Sequence, residues 1–191
     1  AGPMSFRVAL GACADTGSEN GVFAAILRLS PDLFVHLGDL HYSAIAGPKA
    51  LAQARAAYGD VLASPRQAEL FRAVPIAYVW DDHDYGSDNG DRNAPTRAAV
   101  RQAYGENVPH YPLAAPGDGP IYQAFSVGRV RFVLTDLRSE RTPISLPDNV
   151  DKSMLGAAQK AWLEDELRQG AAGHAVVVWV NTVPWIIRDE A

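Results

Sequence analysis

Three short stretches end hydrophobic runs on residues able to bind a cation or move a proton: Gly11-Ala12-Cys13-Ala14-Asp15, Gly38-Asp39-Leu40-His41-Tyr42 and Trp80-Asp81-Asp82-His83-Asp84. Brought together, they would crowd a thiol, a phenol, an imidazole and several carboxylates into one small volume. Two carboxylates about 5 Å apart at an effective dielectric near 20 repel by roughly 3 kcal/mol. Asp15, Asp39, Asp82 and Asp84 as bare anions would therefore need shared protons, neutralising arginines or bound cations. Arg92 and Arg97 are too few to balance them all, so the pattern points to metal. A strand followed by Gly-Asp, then a strand followed by Asp-His, is what a two-metal phosphoesterase requires. One carboxylate bridges cations about 3.5–4 Å apart, a second strand-end acid holds the second cation, and a neighbouring histidine reaches the leaving oxygen. Asp39, Asp82 and His83 fit those roles in that order.

For these residues to meet, the runs that carry them must be neighbouring strands. Phe6–Leu10, Leu33–Leu37 and Ile76–Trp80 read as short buried strands. Between them helical spacing recurs, over Val22–Leu29 behind a cap at Asn20 and a stop at Pro31, then over Lys49–Leu62 and Gln67–Val74. This alternation predicts an α/β fold with parallel strands, whose carboxyl ends share one rim where sites gather. Tyr85–Pro95 is a polar loop, and Pro95 opens a helix running to about Glu106. Ile121–Val127 and Val130–Thr135 flank Gly128-Arg129 as a hairpin. A long loop over Ser139–Ser153, a helix over Gly156–Gln169 and a strand over Ala175–Val180 complete the pattern. With no internal repeat or linker, residues 1–191 read as one domain or part of one.

Composition narrows the classes. A chain of 191 residues that is 48% hydrophobic suits one globular domain with a real core. Its single cysteine excludes a disulfide scaffold and a Cys-rich zinc module. The net charge of -5 has the wrong sign for a nucleic-acid footprint. No apolar run approaches the roughly 20 residues of a membrane span, and Ala1-Gly2-Pro3-Met4 lacks the pattern of a signal peptide. Structural readings compete with the chemical ones. Cys13 could be a small buried hydrophobe, Gly38-Asp39 only a turn, His36 a core residue within its strand, and His110 and His174 plain loop residues. Asp88 and Asp91 read as solvent-facing. Arg138 suits a phosphate clamp, since a guanidinium matches phosphate oxygens bidentately, or an ion pair with Asp136 or Glu140.

With Thr135-Asp136-Leu137-Arg138-Ser139 added, the four stretches resemble, in order and spacing, the PhoD-like (alkaline phosphatase D) branch of the calcineurin-like metallophosphoesterases. The likeness runs through Val183-Pro184-Trp185. It implies a two-sheet sandwich flanked by helices, and hydrolysis of phosphate mono- or diesters by a metal-bound hydroxide at a dinuclear site. In that branch a cysteine replaces the usual first-strand Asp-x-His, which makes Cys13 a metal ligand beside Asp39 and Tyr42. Thiolate with phenolate suits ferric iron, and the resemblance implies iron there with calcium at the harder neighbour lined by Asp39 and Asp82. His83 would assist the leaving group and Arg138 would hold the phosphate, with Asp15 a weaker ligand candidate. The histidine motifs expected near the carboxyl end are missing, so the chain is expected to be the amino-terminal part of a catalytic domain. It could also be a non-catalytic metal-binding or structural piece. The family is often exported, but the chain carries no export signal, and compartment and oligomeric state are left open.

Overall fold

Leu33, Phe34, Val35 and His36 are all buried, as only a strand covered on both faces can be. The computed structural model describes residues 5–184; Trp185, Ala1–Met4 and the last residues of the sequence lie outside them. The strand is β2 (Leu33–His36), and it is the centre of a parallel sheet between β1 (Val8–Gly11) and β3 (Ile76–Tyr78). Register is direct, with Leu10 opposite Val35 and Val35 opposite Ala77. The second sheet orders β4 (Gln123–Val127), β5 (Val130–Leu134) and β6 (Val176–Val180), the first pair antiparallel and the second parallel.

The two sheets share one core. Leu33, Val35 and Tyr78 of the first pack in the same cluster as Phe125, Phe132, Leu134 and Val180 of the second. Because side chains alternate across a strand, Phe34 faces the other way and packs with Phe23, Leu70 and Val74. Those residues belong to or border α1 (Val22–Arg28) and α3 (Pro65–Ala73). α2 (Ala50–Ala63) and α5 (Arg97–Asn107) close the shared core, through Ala54, Tyr58 and Val61 and through Val100, Ala103 and Tyr104. α6 (Gly156–Gly173) lies against β5 and β6. The result is an α/β two-sheet sandwich flanked by helices. No described helix is long and apolar enough to cross a membrane.

The strands and long helices fall where periodicity predicts, with small differences at their ends. Pairing in β3 stops at Tyr78, although Val79 and Trp80 stay fully buried. α5 begins at Arg97 rather than Pro95, with Thr96 at its cap position. Two short elements were not expected: a 3-10 turn over Gly47–Lys49 before α2, and a single helical turn, α4 (Asp82–Tyr85), soon after β3. Asp81 and Asp84 create the latter as a reciprocal capping box, each side chain accepting the other's backbone N–H.

Candidate metal centre

Parallel order puts the carboxyl ends of β1, β2 and β3 on one edge, and the turns there are tight. Cys13 (φ 58°), Gly38 (φ 89°) and Asp39 (φ 50°) all hold left-handed backbone. Cys13 N–H donates to the Gly38 carbonyl at 3.2 Å and Ala14 N–H to the Asp39 carbonyl at 3.3 Å, so the first two turns are laced together. The third turn is pressed against the second: a Cβ on Gly38 would lie 2.4 Å from the Asp81 Cβ. Only glycine permits both the positive φ and that approach.

Asp39 is the hub. Its Oδ2 accepts from the Tyr42 hydroxyl at 3.3 Å and lies 3.6 Å from the Cys13 sulfur, while Oδ1 accepts His83 N–H at 3.4 Å. Asp39, Asp82 and His83 each present a ligand atom, all within 4.8 Å of one another. Cys13, which is exposed, reaches this group through Asp39. Asp82 is oriented by the backbone N–H groups of Asn89 (2.8 Å) and His83 (3.0 Å). The His83 ring rests against Tyr42, centroids 4.4 Å apart, with Nε2 3.3 Å from Asp88. Asp88 is thus a partner of the site rather than only a solvent-facing acid.

The charges behave as crowding predicts. Burial, then the nearby Asp82 and Asp81, push the Asp39 carboxyl up. Burial likewise raises the Cys13 thiol and the Tyr42 phenol. Burial also pushes Asp82 upward, but the Asn89 N–H and the Arg138 guanidinium outweigh it and leave Asp82 below its ordinary value. A thiol, a phenol and a carboxyl directed at one another, each resisting ionisation, form a donor set suited to a transition-metal cation. Asp39 and Asp82 offer oxygen to a harder one.

Arg138 is 3% exposed and enters this cluster from the second sheet. Its Nε donates to Asp81 at 2.5 Å and its Nη2 lies 3.6 Å from Asp82. The sequence neighbours are otherwise engaged: Glu140 pairs with Arg97 at 2.9 Å. Asp136 accepts the backbone N–H groups of Ile121, Arg138 and Ser139, which fixes the loop that presents Arg138. The remaining nitrogen of Arg138, Nη1, is buried with no partner among the described residues. Asp81, given no role in the sequence, also accepts from the Thr182 hydroxyl at 2.9 Å.

Below the rim, Asp84 accepts Leu40 N–H at 2.8 Å and Asp81 N–H at 3.0 Å. His41 Nε2 lies 3.9 Å from it, with both side chains fully buried. Burial pushes Asp84 up to about 7 and His41 down to about 4, so charge on both together is disfavoured. Asp15 is exposed and outside the close group. His36 is buried among Phe34, Phe71 and Tyr78, His110 stacks on Tyr104, and His174 bonds Ser126.

A family model described as PhoD-like phosphatase matches residues 8–184. No curated protein matches the chain. Among solved structures, one described as "Structure of PhoD" is similar, with a TM-score of 0.76 and 21% identity over 91% of this chain and 41% of that one. That likeness shows the fold, and the chain spans less than half of the matched protein.

Proposed function

The chain belongs to the PhoD-like phosphatase family, and from that premise we propose that it forms part of a catalytic domain hydrolysing phosphate esters with the help of two cations. The observation that carries the reading is the convergence of the Asp39 and Asp82 carboxylates and the His83 imidazole within 4.8 Å of one another, beside Arg138 from the loop after β5. Cys13, Asp39 and Tyr42 would hold one ion, iron by the family resemblance. Asp39 and Asp82 would hold the other, calcium by the same resemblance. When bound, such cations neutralise phosphoryl charge and acidify water as the nucleophile.

The protein's own groups do the rest. Arg138 would hold a phosphoryl oxygen, as the family resemblance implies; Asp81 and Asp82 fix its Nε and Nη2, and its Nη1 is buried with no partner among the described residues. Water attacks phosphorus in line and gives up a proton to solvent, the bond from phosphorus to the ester oxygen breaks, and His83 gives that leaving oxygen a proton and regains one from solvent. Asp88 stands beside that imidazole, 3.3 Å from its Nε2.

The test is hydrolysis of p-nitrophenyl phosphate and its bis ester by the full-length protein that contains this part, with metal content measured on the same sample. His83→Ala should slow turnover by about a hundredfold or more while metal content is unchanged. Full-length protein that is metal-loaded yet inert on both esters overturns the reading and favours a non-catalytic metal-binding domain.

A further inference from the structure

Asp84 is the acid of the Asp81-Asp82-His83-Asp84 run that the proposed chemistry leaves unused. At 2% exposure it is more buried than Asp39, Asp81 or Asp82. No lysine or arginine pairs with it among the described residues, so its place is not that of an ion-pair partner. Its two oxygens serve different loops: Oδ2 takes Asp81 N–H, the residue before Asp82, and Oδ1 takes Leu40 N–H, the residue after Asp39. The first bond is the ordinary half of a capping box. The second is not, because Leu40 is 44 residues away in sequence and lies beyond the paired part of β2.

That second bond falls where the backbone most needs holding. Gly38 and Asp39 are both left-handed, and a side-chain-bearing residue keeps such a conformation only when its surroundings enforce it. Leu40 N–H, fixed by a buried carboxylate, limits how far Asp39 can swing from Asp82. We propose that Asp84 is a positioning residue: by tying the Leu40 and Asp81 amides to one carboxylate, it sets the separation of the Asp39 and Asp82 carboxylates and so the fit of the site for its cations. Its effect on turnover rests on the function proposed above; its effect on cation binding does not.

The experiment compares wild type with Asp84→Asn and Asp84→Ala, and with His36→Gln as a buried change outside the site. Mn²⁺ alone is titrated and followed by electron paramagnetic resonance, and kcat and KM are measured on the nitrophenyl esters. Leu40 and Asp81 N–H go to different oxygens of Asp84, and in asparagine one of those is replaced by a donating NH2, so Asp84→Asn should weaken Mn²⁺ binding by roughly tenfold or more. Its kcat should fall by a similar factor, with KM within about twofold of wild type. His36→Gln should keep Mn²⁺ affinity within about twofold, even though it is less stable. Asp84→Asn that binds Mn²⁺ as wild type does, or loses no more affinity than His36→Gln, overturns the proposal. If neither Asp84 variant folds, amide hydrogen exchange of wild type decides. Protection of Leu40 and Asp81 amides equal to that of β2 supports it, and exchange at surface-loop rates overturns it. Asp84-dependent Mn²⁺ binding without hydrolysis of either ester would refute the catalytic reading and leave this one standing.

Discussion

Arg138 meets Asp81 and Asp82 inside the protein, where the exposures of the three side chains are 4%, 14% and 13%. Removing one member of a buried pair leaves the other charges without compensation, which costs more than the pair itself contributes. Arg138→Met should therefore lower stability by about 3 kcal/mol in urea unfolding, and should also weaken binding of inorganic phosphate. Cation addition should recover part of the lost stability, since the same carboxylates would then have a partner. The partner of Arg138 was not legible from the sequence, where Asp136 and Glu140 stand nearest. Asp81 lies 57 residues away, and only the face-to-face packing of two sheets brings it close. Asp39, Asp82 and His83 were legible because each directly follows a buried strand. The division of labour within the Asp81-to-Asp84 run was not. One helical turn and its cap send the four side chains to an arginine, the Asp39 carboxylate cluster, a tyrosine ring and the protein interior, and nothing in residue type distinguishes those directions.

At the scale of elements, the turn after β2 depends on Gly38. Any side chain there meets left-handed strain of roughly 1–2 kcal/mol, and its Cβ would also collide with the Asp81 Cβ at 2.4 Å. Gly38→Ala should cost about 3 kcal/mol in all. Gly117→Ala, also at positive φ (61°) but with open space around it, should cost only about 1 kcal/mol. Equal losses in urea denaturation would show that the contact with Asp81 matters little. That β1, β2 and β3 run parallel was legible from the alternation of strand and helix, because parallel strands need long crossovers. α4 escaped because four residues carry no periodicity. Its signal was the spacing of Asp81 and Asp84, a capping pair at the start of a helix too short to show any other sign.

Across the whole molecule, burial makes folding sensitive to acid. His36 is 3% exposed and enclosed by aromatic rings, and burial pushes its imidazole down to about 4 from an ordinary 6.5. Protonation thus favours the unfolded chain. This stabilising contribution is complete above pH 6.5 and is lost as pH falls toward 4, by up to about 3 kcal/mol. His36→Gln should flatten that part of the pH–stability curve relative to wild type, while carboxylates leave a common background in both. The two-sheet partition is the feature least available to local pattern. Six strands can be found by periodicity, but which sheet each joins is decided by pairings between distant segments, such as Val130 with Val176, and it was read through family resemblance. One consequence concerns handling rather than catalysis. β6 is the last strand of its sheet among the described residues, with Val176 half exposed and the run Val-Val-Val-Trp-Val along it. An apolar valine half exposed on such a strand is a place where a charge enters without being buried. Val176→Lys should therefore keep stability in urea within about 0.5 kcal/mol of wild type while raising solubility.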